Sequence, residues 1–97
     1  MQSMGGQIVD NRKVIRDALQ TFGHSHQIEK AIEECGELIV ELQRAKALRP
    51  ANVKTEIADV EIMCAQLRVI FPGVPDEKKR KLEGLQALIA ERRGQTG

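Results

Sequence analysis

The stretch that decides the fold spans residues 25–48 and reads SHQIEKAIEECGELIVELQRAKAL. Its apolar side chains recur every three or four positions, at Ile28, Ile32, Cys35, Ile39 and Leu42. This is the period of one face of an α-helix, whereas a half-buried strand alternates every two residues. The stretch therefore predicts a long amphipathic helix, with Ala31 and Leu38 widening its apolar stripe and Pro50 closing it.

Similar signals predict a helix on each side of this stretch. A first helix is expected to begin at Asp10, an N-cap residue, and to end at Gly23. A third is expected to begin near Asn52, also a capping residue, and to run to Phe71, where a Pro-Gly turn ends it. No stretch of the sequence has the period of a β-strand.

A fourth helix is expected from residue 75 or 76 to residue 92 or 93. Four of its apolar residues are predicted to face inward, namely Leu82, Leu85, Leu88 and Ile89. Residues 1–8 and 94–97 are interpreted as a flexible arm and tail. The 97 residues therefore predict one all-α domain, a four-helix subunit.

The third predicted helix is apolar on two sides. One side carries Val53, Ile57, Val60, Met63, Cys64, Leu67 and Ile70. The other carries Ala58, Ile62, Ala65 and Val69. A helix of this kind is buried on both sides, either centrally in its own domain or at a subunit interface. We expect the subunit to assemble as a dimer or tetramer, forming an oligomeric helical bundle.

Composition limits the partners and the location of the protein. The formal net charge is +1, so no global field favours nucleic acid or an anionic membrane. No apolar run approaches the roughly 18 residues of a membrane span, and the start lacks the features of a signal peptide. A cytoplasmic location is expected. Cys35 and Cys64 lack metal-type spacing and are interpreted as free, buried thiols.

Two pairs of carboxylates stand three residues apart on the second and third predicted helices. Glu34 and Glu37 form the first pair, and Glu56 and Asp59 form the second. Residues at this spacing share a helical face, so each pair presents its oxygens to one point. Glu56 falls within the apolar stripe of its helix, where a glutamate is rarely found unless it is paired or binds a metal.

The short connection between these helices predicts that they are antiparallel neighbours. Four carboxylates would then converge and repel one another unless they protonate, spread apart or hold a cation. An all-oxygen site suits Mg²⁺ or Mn²⁺. Because Mg²⁺ usually completes its coordination shell with water and substrate phosphates, the pattern points to a phosphate-bearing substrate.

Two other interpretations of the acidic residues remain. The first is that they are solvated helix glutamates, which is the expectation for Glu29, Glu33 and Glu41 taken singly. A di-iron carboxylate bundle would use similar ligands, but it requires Glu-x-x-His on two helices. Here His24 and His26 both precede the first carboxylate pair, so the di-iron pattern is poorly matched.

The two motifs, with their context, resemble a known family. Glu33-Glu34-x-x-Glu37, followed by Glu56-x-x-Asp59, is similar to the EExxE…ExxD signature of the all-α NTP pyrophosphatases, which include MazG-like enzymes, dimeric dUTPases and dCTP pyrophosphatases. The resemblance covers roughly residues 22–85 and agrees with a four-helix layout.

The resemblance implies a role for each acidic residue. Glu34, Glu37, Glu56 and Asp59 would bind Mg²⁺, and Glu33 would flank the site and orient or activate the attacking water. The implied reaction is the Mg²⁺-dependent hydrolysis of a nucleoside triphosphate to a nucleoside monophosphate and pyrophosphate, as in nucleotide pool cleaning.

Several further residues are candidate substrate contacts. Lys78 and Lys81 belong to a basic run at the start of the fourth helix, where the helix dipole disfavours cations and a phosphate would relieve that cost. Lys81 also resembles a phosphate-binding lysine of the family, although Gly84 stands where members often have Arg. His24 and Gln27 precede Glu34 where a nucleobase could pack.

Lys30, one turn before Glu34, is a further candidate for contact with substrate, and its alternative role is an i, i+4 ion pair with Glu34.

The alternatives to an enzyme are a non-catalytic nucleotide-binding or helical interaction module and a purely structural bundle. Release of pyrophosphate in the presence of Mg²⁺ would distinguish an enzyme from the non-catalytic module. The purely structural bundle predicts no metal binding.

Overall fold

A computed structural model describes residues 9–96, with side chains described to Gly94. The described chain is all-α and contains four helices: α1 (Asn11–Phe22), α2 (His24–Lys46), α3 (Val53–Ile70) and α4 (Val74–Thr96). The all-α class and the four predicted helices are confirmed. α4 continues past the expected end at residue 92 or 93, while the predicted arm at residues 1–8 lies outside the described residues.

Local capping sets the boundaries of the first helices. The Asp10 side chain accepts a hydrogen bond from the Lys13 amide at 3.2 Å, as an N-cap residue does. Gly23, with φ of 89°, donates its N–H to Leu19 O and separates α1 from α2 by a single residue. Few residues other than glycine adopt this conformation at low cost, so Gly23 fixes the bend between the two helices.

Helices α2 and α3 pack as an antiparallel hairpin, which is the main tertiary contact of the described chain. Three contacts between the two helices show that α2 and α3 run in opposite directions. Gln27 hydrogen-bonds Gln66, and Glu34 approaches Glu56 and Asp59. At the other end, Glu41 Oε1 accepts the Asn52 N–H at 2.8 Å, joining α2 to the start of α3. The Asn52 side chain makes no capping hydrogen bond, contrary to expectation.

The face of α2 that packs on α3 differs from the predicted apolar stripe. The buried residues of α2 are Gln27, Ala31 and Glu34. In contrast, the Ile32 and Ile39 side chains of the stripe are 68% and 57% exposed. Ala31, which was predicted to widen the stripe, is buried, and Leu38 is half-buried. The inward face therefore lies at one edge of the stripe and includes the polar residues beside it. The centre of the predicted stripe is thus exposed within one chain.

Helix α4 also departs from expectation. Leu82, Leu85, Leu88 and Ile89 were predicted to face inward, yet they are exposed, as is every α4 residue from 75 to 94. Helix α1, and not α4, packs against both α2 and α3 in the described part of the chain. The buried apolar residues of the described chain are consequently few: Leu19, Ala31 and Met63.

The prediction that the cysteines are buried was also wrong. Cys35 and Cys64 are free, as predicted, but both are exposed rather than buried. Cys35 belongs to the outward stripe of α2, and Cys64 lines a groove between α1 and α3. Among residues 9–96, no helix combines the length and the apolar composition needed to cross a membrane.

Candidate metal centre

The hairpin brings together the carboxylates that the sequence singles out. Glu34 lies on the inward face of α2 and is 7% exposed. Glu56 and Asp59, one turn apart near the start of α3, are half-buried opposite it. Glu37, one turn beyond Glu34, is exposed at the edge of the hairpin, and Glu33 is exposed beside it. We call these five residues the carboxylate cluster.

The cluster consists of two overlapping groups. One oxygen from each of Glu33, Glu34 and Glu37 lies within 4.8 Å of the others, and the same holds for Glu34, Glu56 and Asp59. Glu34 belongs to both groups, so its carboxylate connects the α2 side of the cluster to the α3 side. The two predicted i, i+3 pairs are therefore brought together through Glu34, while Glu37 is grouped with Glu33 and Glu34 and not with both α3 carboxylates.

Two buried oxygens of the cluster lack a hydrogen-bond partner in the described chain, Glu34 Oε2 and Glu56 Oε2. A buried carboxylate oxygen without a donor is unfavourable unless the group protonates or binds a cation. Burial raises the pKa of Glu56, and the neighbouring charges of Glu37, Asp59 and Glu34 raise this pKa further. The donor set is all oxygen, so the residues present fit a hard divalent cation such as Mg²⁺ or Mn²⁺.

Lys30 balances part of the negative charge on the α2 side. Its Nζ lies 3.1 Å from Glu33 Oε1 and 3.3 Å from Glu34 Oε1, which confirms the predicted ion pair one helical turn from Glu34. Hydrogen bonds to Glu33 and then to Glu34 raise the pKa of Lys30. No lysine or arginine within the described residues forms an ion pair with Glu56 or Asp59, so the α3 side lacks an equivalent cation.

A buried polar network lies on the same hairpin face, toward α1. Gln27 Nε2 donates to Gln66 Oε1 at 2.7 Å, and Gln66 is only 2% exposed. His26 Nδ1 lies 2.7 Å from Gln27 Oε1, so that nitrogen donates the hydrogen bond. The His26 ring also stacks on Phe22, with ring centroids 5.6 Å apart. The candidate substrate residue Gln27 is thus held in place by its neighbours.

Sequence reasoning missed Gln66 and His26, although the signal for Gln66 was present. Gln66 follows Asp59 by seven residues and Met63 by three, so it shares their helical face. A polar residue at such a position predicts a buried partner on the facing helix, as Glu56 did. His26 had no comparable signal, because its role depends on the bend at Gly23 that brings Phe22 beside it.

The remaining predicted substrate residues are not brought to the cluster within one chain. Lys78 and Lys81 lie on the exposed helix α4, and no described hydrogen bond or ion pair joins them to a carboxylate of the cluster. His24 is the exposed first residue of α2 and makes no side-chain hydrogen bond within the described part of the chain.

The raised pKa of Glu56 predicts how stability depends on pH without a divalent cation. Since the folded chain binds this proton more tightly than the unfolded chain, the free energy of unfolding decreases as pH rises from the ordinary value of 4.5 through the raised pKa. Urea unfolding at several pH values in EDTA should show this decrease, and Glu56→Gln should reduce it. Glu29→Gln, an exposed change on α2, is the matched control. Identical pH dependence in Glu56→Gln and wild type would contradict the prediction.

No family model, curated protein or solved structure matches this chain. A functional conclusion therefore rests on the chemistry of the carboxylate cluster and on the motif that the sequence presents.

Proposed function

We propose that this protein is a Mg²⁺-dependent nucleoside triphosphate pyrophosphohydrolase. It converts a nucleoside or deoxynucleoside triphosphate and water to the monophosphate and pyrophosphate. The observation that carries this proposal is the convergence of carboxylates from α2 and α3, with two buried oxygens that lack a donor in the described chain. The EExxE…ExxD spacing at Glu33–Glu37 and Glu56–Asp59 supports the same reaction.

In this proposal Glu34, Glu37, Glu56 and Asp59 hold the cation. When bound, Mg²⁺ neutralises triphosphate charge and stabilises the charge that develops on the phosphate oxygens during hydrolysis. The triphosphate is itself an anion, so the bare cluster would repel it. Binding of substrate therefore requires the cation, which is the reason to expect a strict metal dependence.

In this proposal Glu33 acts on water. Its carboxylate is exposed and lies at the edge of the group formed with Glu34 and Glu37, where solvent and substrate can meet. Lys30 restricts the position of this carboxylate through the 3.1 Å ion pair. Glu33 would orient the attacking water and accept its proton, and Lys30 also lies close enough to the cluster to meet a substrate phosphate.

The proposed role of the α4 lysines requires assembly of more than one chain. Within one chain, Lys78 and Lys81 do not contact the cluster, and the apolar residues of α4 are exposed. Their proposed contacts with phosphate require α4 to pack beside a carboxylate cluster, which a second copy of the chain can supply. The metal sites would then lie close to subunit interfaces.

Pyrophosphate release tests the proposal. A panel of canonical and modified nucleoside triphosphates, in ribose and deoxyribose forms, is incubated with the protein and Mg²⁺, and pyrophosphate and monophosphate are quantified. We expect equal amounts of both products, and no turnover in EDTA. Nucleotide binding without hydrolysis of any panel member would favour a non-catalytic nucleotide-binding module.

Mg²⁺ or Mn²⁺ is also expected to raise the melting temperature. A cation that binds only the folded chain, present at ten times its Kd, stabilises that chain by about 1.4 kcal/mol. For a domain of this size the melting temperature should rise by about 5–10 °C. Calorimetry with millimolar MgCl₂, against NaCl at equal ionic strength, measures the shift. No shift with either metal, with or without nucleotide, would support a purely structural bundle.

A further inference from the structure

A second candidate site lies between α1 and α3. A groove of about 720 Å³ has Ile15, Ala65 and Val69 among its apolar lining, together with the arginines Arg12, Arg16 and Arg68. Ala65 follows Glu56 by nine residues, which at 100° per residue places it on the opposite side of α3. This arginine groove is therefore separate from the carboxylate cluster.

The arginines of the groove lack acidic partners in the described part of the chain. Arg12 and Arg16 stand at i, i+4 on α1, a spacing at which like charges repel. Arg68 faces them from α3 and has no acidic residue three or four positions away. By contrast, Lys13 and Arg80 each pair with a carboxylate on their own helix.

One acidic residue, Glu61, lines the groove, so positive charge is in excess there. A guanidinium binds phosphate through paired hydrogen bonds, while the apolar lining favours a ligand with an apolar body. The volume is within the range of small-molecule sites. Charge and shape together thus fit a small anion with an apolar part.

Other occupants fit the groove less well. The apolar face of α4 from a second copy is bordered by Lys78 and Lys81, whose charge has the same sign as that of the groove. Single-stranded nucleic acid is usually held by aromatic stacking, and neither Phe22 nor Phe71 lines the groove.

We propose that the arginine groove binds a small organic phosphate. The phosphate would lie among Arg12, Arg16 and Arg68, and the apolar body would contact Ile15 and Ala65. This site is independent of the pyrophosphohydrolase proposal, because it uses neither the carboxylate cluster nor a divalent cation.

The test uses 1-naphthyl phosphate as the probe, with the full chain in EDTA. Amide chemical shifts should change in α1 and in the second half of α3, and titration gives the Kd. Arg16→Gln and Arg68→Gln should each raise Kd by about tenfold. Glu61→Gln should lower Kd by about threefold, because it removes the negative charge at the groove. Arg80→Gln, an exposed arginine on α4, is the matched control and should leave Kd unchanged.

Three outcomes would overturn the proposal. Absence of shift changes at the groove would mean that it does not bind the probe, as expected if a second copy covers it. Equal binding of 1-naphthol would show that the arginines contribute nothing. Tighter binding of a single-stranded oligonucleotide, with the same arginine dependence, would identify a nucleic-acid surface instead.

Discussion

Glu56→Gln is expected to abolish pyrophosphate release while the chain remains folded. Loss of a residue that only supports a metal ligand typically costs 10- to 100-fold, so removal of a charged ligand should reduce kcat/KM by at least about 100-fold. In the absence of divalent cations the same change should stabilise the chain. Glutamine removes one of the repelling charges and retains a polar side chain of similar size at a half-buried position.

The matched control is Glu29→Gln, which removes an exposed carboxylate of α2 outside the cluster. Activity with Mg²⁺, circular dichroism and unfolding in EDTA are measured for wild type and both variants. If folded Glu56→Gln retains wild-type turnover, the assignment of the cluster as the metal site is wrong. A second variant, Asp59→Asn, repeats the test on the adjacent ligand and guards against an effect particular to one position.

The carboxylate arrangement was predictable because it depends on two short-range rules. Residues three apart share a helical face, and a short connection makes consecutive helices antiparallel neighbours. The first rule applies to Glu34 with Glu37 and to Glu56 with Asp59, and the second applies to α2 and α3. The structure accordingly brings the two pairs together through Glu34. The helix starts and stops at Asp10 and Gly23 were predictable for a similar reason, since capping is local.

The inward face of α2 was not predictable from hydrophobic periodicity. Periodicity identifies the side of a helix that avoids water, but not the partner that covers it. In α2 the polar residues Gln27 and Glu34 face α3, whereas Ile32 and Ile39 face outward. The hairpin thus covers the residues of the candidate site, and the more apolar stripe is left exposed within one chain.

The direction of α4 was likewise beyond local rules. Its sequence predicts a helix correctly, yet the structure packs α1 on the hairpin and leaves the α4 residues 75–94 exposed. Which helix packs on the hairpin depends on contacts between residues far apart in sequence. The same holds for His26, whose contacts with Phe22 and Gln27 follow from the bend at Gly23.

The last prediction concerns assembly and the second apolar side of α3, which carries Ala58, Ile62, Ala65 and Val69. Ala65 and Val69 line the arginine groove, so we define the outer face of α3 as Ala58 and Ile62. Ile62 is 52% exposed, and Ala58, one turn before it, is also exposed. Large apolar patches on a protein surface mark interaction sites, and small residues allow a close approach of helices. We therefore expect wild-type protein to be a dimer or tetramer at micromolar concentration.

Ile62→Asp should split or unfold this oligomer. Burial of one isoleucine contributes about 1.5–3 kcal/mol. A two-fold interface loses two such contributions, which corresponds to an increase of about 10²- to 10⁴-fold in the dissociation constant. Buried carboxylates without partners would increase this effect. Activity should also decrease, because Glu56 and Asp59 belong to the same helix and depend on its position.

Sedimentation velocity and pyrophosphate release are measured together for wild type, Ile62→Asp and a control. The control is Val40→Asp, which places the same charge at an exposed apolar residue of α2 outside the outer face of α3. A loss of oligomer in Ile62→Asp alone locates the interface on that face, whereas a similar loss in both variants would point to a general effect of charge. A wild-type chain that sediments as a stable monomer at micromolar concentration would contradict the prediction, and Ile62 would then be an ordinary surface residue of a monomeric hairpin.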